Sequence, residues 1–146
     1  MDNKRKITSF RDLVVYQESY ANSLKVADKI LPKLPFKEKY DLTDQLSRSS
    51  KAVPRLIAEG YAKKHQRAGF QKYLDDAMAE SNETIVSLEQ VKDIYNIEPI
   101  ACSELIDSYD KIGRQLYRLS EVWTSFKKRS RQPLPSNDTG VVTDNL

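Results

Sequence analysis

The sequence predicts an all-α protein: an antiparallel up-down-up-down four-helix bundle with a kinked second helix and a disordered C-terminal tail. Three observations predict it. Apolar residues recur at three- and four-residue steps in four separate stretches, prolines fall between or within those stretches, and no strand-like alternation outlasts a few residues. The 146 residues suit one domain, divided into a basic lead-in over 1–9, the bundle over 10–129 and the tail over 130–146.

Leu13, Tyr16, Tyr20, Leu24, Ala27 and Leu31 lie on one stripe of a first helix, about five to six turns long, that Pro32 and Pro35 bring to an end. Proline has no N–H to donate to an interior turn, so Leu31 to Phe36 is expected to be a loop. A second stripe runs through Leu42, Leu46, Ser49, Val53, Ile57 and Tyr61, with Pro54 in its middle predicting the kink. After the polar run Lys63, Lys64, His65, Gln66 and Arg67, a third stripe follows Phe70, Leu74, Ala77, Ser81, Ile85, Leu88 and Val91 to the neighbourhood of Tyr95. Pro99 marks the next corner. The fourth stripe, Leu105, Tyr109, Ile112, Leu116, Leu119, Trp123 and Phe126, is regular over three heptads. From Ser130 onward, Pro133, Pro135, Ser136, Asn137, Asp138, Thr139 and Gly140 supply too little apolar surface to offset the entropy of ordering the chain.

Composition removes most enzymatic readings. Four glycines, at positions 60, 69, 113 and 140, are too scattered for a phosphate-cradling loop or a dinucleotide turn. A di-iron or di-manganese centre of the helix-bundle type needs two Glu-x-x-His pairs, and the chain has one histidine, His65, set in a charged stretch. Cys102, the single cysteine, stands beside Ile100 and Leu105 and reads as a packing residue rather than a nucleophile. The neighbouring acids Asp75 with Asp76, and Glu80 with Glu83, have no histidine partner and read as a solvated helix face. No enzymatic activity and no cofactor or metal are expected. A lone cysteine and the lack of a long apolar run predict a cytoplasmic protein.

Charge is more informative. The chain carries a net +3, and its first 60 residues hold 12 basic against 8 acidic side chains, while helices three and four are nearly neutral. Arg48, Lys51 and Arg55, three and four apart, share one face of helix two, away from Leu46, Val53 and Ile57; Lys63, Lys64 and Arg67 follow. A one-sided cationic surface attracts phosphate through counterion release, so these six residues are the candidate RNA or DNA contacts. The competing reading is a solvated face that pairs with acids on a neighbouring subunit. Val14, Val15, Leu56, Val86, Ile94, Ile106 and Val122 lie off the core stripes, which predicts an oligomer interface as well as a core.

The run Ser9-Phe10-Arg11-Asp12-Leu13-Val14-Val15-Tyr16-Gln17 resembles the opening of the bacterial four-helix bundle proteins encoded within intervening sequences of 23S ribosomal RNA genes. The resemblance continues through Tyr40-Asp41-Leu42-Thr43-Asp44-Gln45-Leu46-Ser47-Arg48-Ser49, then Val53, Pro54, Ile57, Ala58, Glu59 and Gly60, and in helix three Phe70, Tyr73, Leu74, Ala77, Ser81, Glu83 and Leu88. Lys51 stands where an apolar residue is usual, and Leu56 where a polar one is. The resemblance implies an up-and-down bundle, a ring-shaped homopentamer and no catalysis. Related bundles are accessory variability determinants of diversity-generating retroelements, which implies a reverse transcriptase or another protein as possible partner, with RNA. Within the motif, Pro54 is expected to bend helix two, Gly60 to admit a close helix, and Glu59 to pair with Arg48 or a neighbouring helix. Two functions follow: a non-catalytic oligomer binding nucleic acid or a ribonucleoprotein, or a protein-interaction scaffold that binds no nucleic acid.

Overall fold

The computed structural model describes residues 6–131, with side chains as far as Trp123, and among these it contains helices and turns but no strand. The expected tail, apart from its first two residues, lies outside the described residues, as do residues 1–5 of the lead-in and the side chain of Phe126.

Ser9 opens the structure with a reciprocal cap: its hydroxyl accepts from the Arg11 N–H, while Asp12 Oδ2 accepts from the Ser9 N–H at 3.0 Å. This holds a short 3₁₀ turn at Phe10–Asp12, and Leu13, in extended conformation, separates it from α1 (Val14–Lys25). A π-helical turn at Val26–Ile30 and a 3₁₀ turn at Leu31–Lys33 carry the chain to Pro35, so the expected loop is partly helical. α2 (Leu42–Ala62) runs on through Pro54. Glu38, on the linking segment, reaches α2's first N–H, at Leu42, over 3.2 Å and also accepts from the Tyr95 hydroxyl. Those bonds hold its carboxyl below the usual glutamate range and push the Tyr95 phenol up.

α3 (Arg67–Tyr95) stops at Asn96, whose φ of 52° is the left-handed conformation that terminates helices. Glu98 also has a positive φ, 44°, unusual for its type, and an ion pair to Lys33 anchors it. Pro99 then begins α4 (Pro99–Arg131), which takes in the first two residues of the expected tail. Each helix packs on its sequence neighbours and α1 also meets α4, closing the bundle.

The core holds Leu46, Val53 and Ile57 from α2, Phe70, Leu74, Leu88 and Val91 from α3, and Tyr109, Ile112 and Leu116 from α4. Those three helices follow the predicted stripes. The first stripe holds only at its ends, where Leu13 is buried and Tyr16 and Leu31 pack against the core; between them Tyr20 and Leu24 are 48% and 54% exposed, and Ala27 is exposed. The buried line is instead Val15, Ser19, Asn22, Val26 and Ile30. Its polar members are satisfied, since the Ser19 hydroxyl donates to the Tyr16 carbonyl and Asn22 Nδ2 donates to Ser108 Oγ at 2.8 Å. Small side chains with internal partners can face a core, and counting apolar residues alone puts the stripe on the wrong side. Of the off-stripe residues, Val15 is core, Leu56 and Ile106 pack against it, and Val14, Val86, Ile94 and Val122 are exposed.

Candidate nucleic-acid interface

Arg48, Lys51 and Arg55 are all exposed along α2, as their spacing requires. Carboxylates flank them. Arg48 lies 3.7 Å from Asp44 one turn earlier, with the two side chains 78% and 49% exposed, a pair worth at most about 1 kcal/mol. Arg48 also faces α3, where burial, aided by Glu83 and Asp76, pushes the Glu80 carboxyl up and the Arg48 charge opposes that rise. Glu59 continues the same stripe four residues after Arg55, so the face is cationic at its centre and acidic at both ends. Arg48 and Glu59 are about 16 Å apart along the axis and do not pair within one chain.

Lys51 and Arg55 instead border a groove between α1 and α2, about 290 Å³ in volume, that Phe10, Tyr16, Tyr20, Ser23, Pro54 and Ala58 complete. The Tyr16 and Tyr20 rings stack at 5.8 Å with 18° between planes, Phe10 meets Tyr16 edge-on at 4.9 Å, and the Arg11 guanidinium lies 4.5 Å from the Phe10 centroid. The helical i,i+4 spacing aligns the two tyrosines, and the Ser9 cap positions Phe10. The half-exposed Tyr20 ring, backed by Tyr16 and beside two cations, presents stacking surface and phosphate contacts together.

The other three predicted cations lie elsewhere, at the turn from α2 to α3. Lys63 is exposed, and Lys64 Nζ sits 4.3 Å from the Tyr61 ring centroid while its carbonyl accepts from Trp123 Nε1 at 3.1 Å. Arg67 shares an open depression with Lys72, Asp75 and Asp76. The six cations therefore form two groups, not one strip. Gly60 is buried where α2 crosses α3: a Cβ there would lie 2.8 Å from Tyr73 Cβ.

The family model of the 23S rRNA-intervening sequence protein matches residues 11–118. The chain belongs to this family. A crystal structure of a protein with unknown function from the S23 ribosomal protein family of Bacteroides thetaiotaomicron VPI-5482 is similar in fold, with a TM-score of 0.65 and 22% identity over 74% of this chain and 96% of that one. No curated protein matches the chain.

In this family member the residues read as chemical candidates stand apart. His65 is exposed, next to Gln66. Cys102 is buried, with its Sγ 3.5 Å from the Ile97 carbonyl, and burial pushes the thiol up, away from the reactive thiolate. Among the described residues no three histidine, cysteine, aspartate or glutamate side chains are grouped as metal ligands, and no helix is long and apolar enough to cross a membrane. Phe10, Tyr16 and Tyr20 line the groove; Tyr16 packs against the core as its stripe predicts and borders the groove as well, whereas sequence reasoning missed Tyr20 by assigning it to the core. The available signal was Tyr16 and Tyr20 one turn apart, beside a parallel line of small Ser19 and Ser23 that can approach another helix more closely.

Proposed function

We propose that this protein is a non-enzymatic, oligomeric bundle of the cytoplasm that binds nucleic acid, alone or within a ribonucleoprotein, through the α1–α2 groove. The stacked Tyr16 and Tyr20 rings next to Lys51 and Arg55 carry this reading. They suit an unpaired base lying on a ring with its phosphates at the cations. An antiparallel up-down-up-down course is supported by contacts whose residue numbers run in opposite directions: Ser49 with Thr84 and Gly60 with Tyr73, Gln71 with Ser120 and Lys92 with Ser103, Glu18 with Lys111 and Lys33 with Glu98. Pro54, which removes one hydrogen bond inside α2, favours a bend there. Exposed Val14, Val86, Ile94 and Val122 favour burial between copies, and the homopentamer is the stoichiometry we adopt. A retroelement reverse transcriptase is the protein partner we retain.

The test is anisotropy titration of an unstructured single-stranded RNA across a salt series. Wild type is expected to bind with a steep negative salt dependence, K51Q/R55Q to lower that slope by about two, and Y20A to weaken binding by about 1–3 kcal/mol. Tyr20 is half exposed, so its loss leaves the core intact. No affinity even at low salt would leave the scaffold reading, which Phe36 and Tyr40, 82% and 83% exposed on the link to α2, independently favour.

A further inference from the structure

Phe36 and Tyr40, 82% and 83% exposed, are the most exposed large apolar side chains among the described residues, and the turn that carries them is held rigidly. Pro35, with φ at −66°, leads into a 3₁₀ turn at Phe36–Glu38. The Glu38 N–H donates to the Pro35 carbonyl at 2.9 Å, the Lys39 N–H to the Phe36 carbonyl at 3.0 Å and the Asp41 N–H to the Glu38 carbonyl at 2.9 Å. Both oxygens of the Glu38 side chain are engaged, one by the Leu42 N–H and the other by the Tyr95 hydroxyl. Leu31 and Leu34 of the same link pack against the core, whereas neither ring does. The two rings thus stand in water on a fixed base, so a binder has little left to order.

The charges around the rings are uncommitted. Lys39 Nζ lies 5.6 Å from the Phe36 ring centroid and 5.3 Å from that of Tyr40, and Lys37 Nζ lies 5.8 Å from the Tyr95 centroid. Among the described residues neither ammonium makes an ion pair. Glu38 is taken by its own two bonds, and Asp41 accepts from Gln45 Nε2 at 3.0 Å. α2 begins two residues after Tyr40 and Asp41 gives it no side-chain cap, so the positive end of the helix dipole adds to the two lysines.

Size and charge together select the occupant. Aromatic side chains of about 150–250 Å² each, at this exposure, offer about 250–400 Å². A stable interface with a second copy needs about 800 Å² from each partner. Beyond the turn the charge reverses. Residues 28–44 carry four basic and four acidic side chains and residues 89–104 one basic against four acidic, a net −3 at this pole where the whole chain carries +3. The contacts of Glu38 with Tyr95 and of Lys33 with Glu98 bring these two segments together. A lipid surface or a nucleic-acid strand is extended and would face all of those acids. Only an occupant confined to the turn, within about 8–10 Å of Lys37 and Lys39, escapes them by screening.

We infer that this turn receives a short segment of a partner protein in which apolar side chains alternate with carboxylates. The apolar groups cover Phe36 and Tyr40, and the carboxylates meet Lys37 and Lys39. This surface is separate from the α1–α2 groove and does not depend on nucleic-acid binding there.

The test titrates a labelled peptide of alternating glutamate and leucine against the full chain, F36S/Y40S and K37Q/K39Q, read by fluorescence anisotropy, with a lysine–leucine peptide as control. Wild type is expected to bind the acidic peptide in the micromolar range, more weakly as salt rises. F36S/Y40S is expected to lose roughly tenfold or more in affinity, and K37Q/K39Q to flatten the salt dependence. All four side chains are exposed, so both variants should keep the wild-type melting temperature. No binding, equal binding of the lysine–leucine peptide, or wild-type affinity in F36S/Y40S overturns the inference. It is also overturned if F36S/Y40S abolishes wild-type sedimentation with phosphatidylserine vesicles, which assigns the turn to lipid, or weakens binding of single-stranded RNA, which assigns it to nucleic acid. RNA binding without peptide binding overturns this inference alone, and peptide binding without RNA binding overturns the groove reading alone.

Discussion

Adding one methyl group at Gly60 measures how closely α2 and α3 approach. In Gly60→Ala the new Cβ would stand 2.8 Å from Tyr73 Cβ and 3.5 Å from Phe70 Cδ1. Carbon atoms prefer about 3.5–4.0 Å, so one of the helices must move by roughly 0.7–1.2 Å. Tyr73 Cβ is bonded to the α3 backbone and cannot swing aside as a side-chain tip can. Such overpacking costs about 1–3 kcal/mol. Against it stands the helix propensity of alanine over glycine, worth about 0.8–1 kcal/mol in a helix interior. Gly113→Ala isolates that second quantity, because nothing lies within 4 Å of a Cβ at that position in α4. The two substitutions are therefore expected to separate by about 2 kcal/mol. For a chain of this length that is about 4–8 °C in melting temperature, Gly113→Ala above wild type and Gly60→Ala at or below it. Calorimetry at one protein concentration reads both. A Gly60→Ala melting point equal to or above that of Gly113→Ala would refute the close approach.

Two further expectations concern buried and capping groups. Tyr109 is wholly buried with no partner for its hydroxyl, so Tyr109→Phe is expected to raise the urea midpoint, by about 1 kcal/mol in stability; a clear drop would mean that the hydroxyl has a partner in solution. Glu38 titrates below its ordinary range chiefly because the Tyr95 hydroxyl donates to it, so its stabilisation is complete above the unfolded glutamate pKa and is lost as pH falls through the depressed value. In Tyr95→Phe that acid-side loss is expected at higher pH than in wild type, and coincident urea-midpoint curves across the acid range would contradict the assignment.

The legibility of the fold varied by element for identifiable reasons. α2 and α4 bury large aliphatic residues at regular steps, so Leu46, Val53 and Ile57, and Leu105, Ile112 and Leu116, mark their inner faces without ambiguity. Gly60 was readable as a close approach because a lone glycine in a helix is costly unless something needs the space. α1 was misread by one position because its inner face is built from serine and asparagine, whose satisfaction by Tyr16 and Ser108 is tertiary information. The groove was hidden by the same error: with Tyr20 assigned to the core, Lys51 and Arg55 stood alone. The spacing of Arg48, Lys51 and Arg55 placed them on one face correctly but said nothing of the Asp44 and Glu59 charges at its ends. Lys63, Lys64 and Arg67 were grouped with that stripe by sequence proximity, whereas the chain has already turned by the time it reaches them.

α1's serine-lined inner face also sets the order in which the molecule comes apart. Between Val14 and Lys25 Val15 is the one apolar side chain in the core; Ser19 and Ser23 bond back to carbonyls of α1 itself, and Asn22 reaches Ser108 of α4 through a hydrogen bond that water can replace. Amide protons of α1 should therefore exchange through local opening, while those of α2 and α3 wait for global unfolding. Because Tyr16 and Tyr20 ride on this loosely held helix, a ligand bridging them to Lys51 and Arg55 would tie α1 to α2 and slow its exchange.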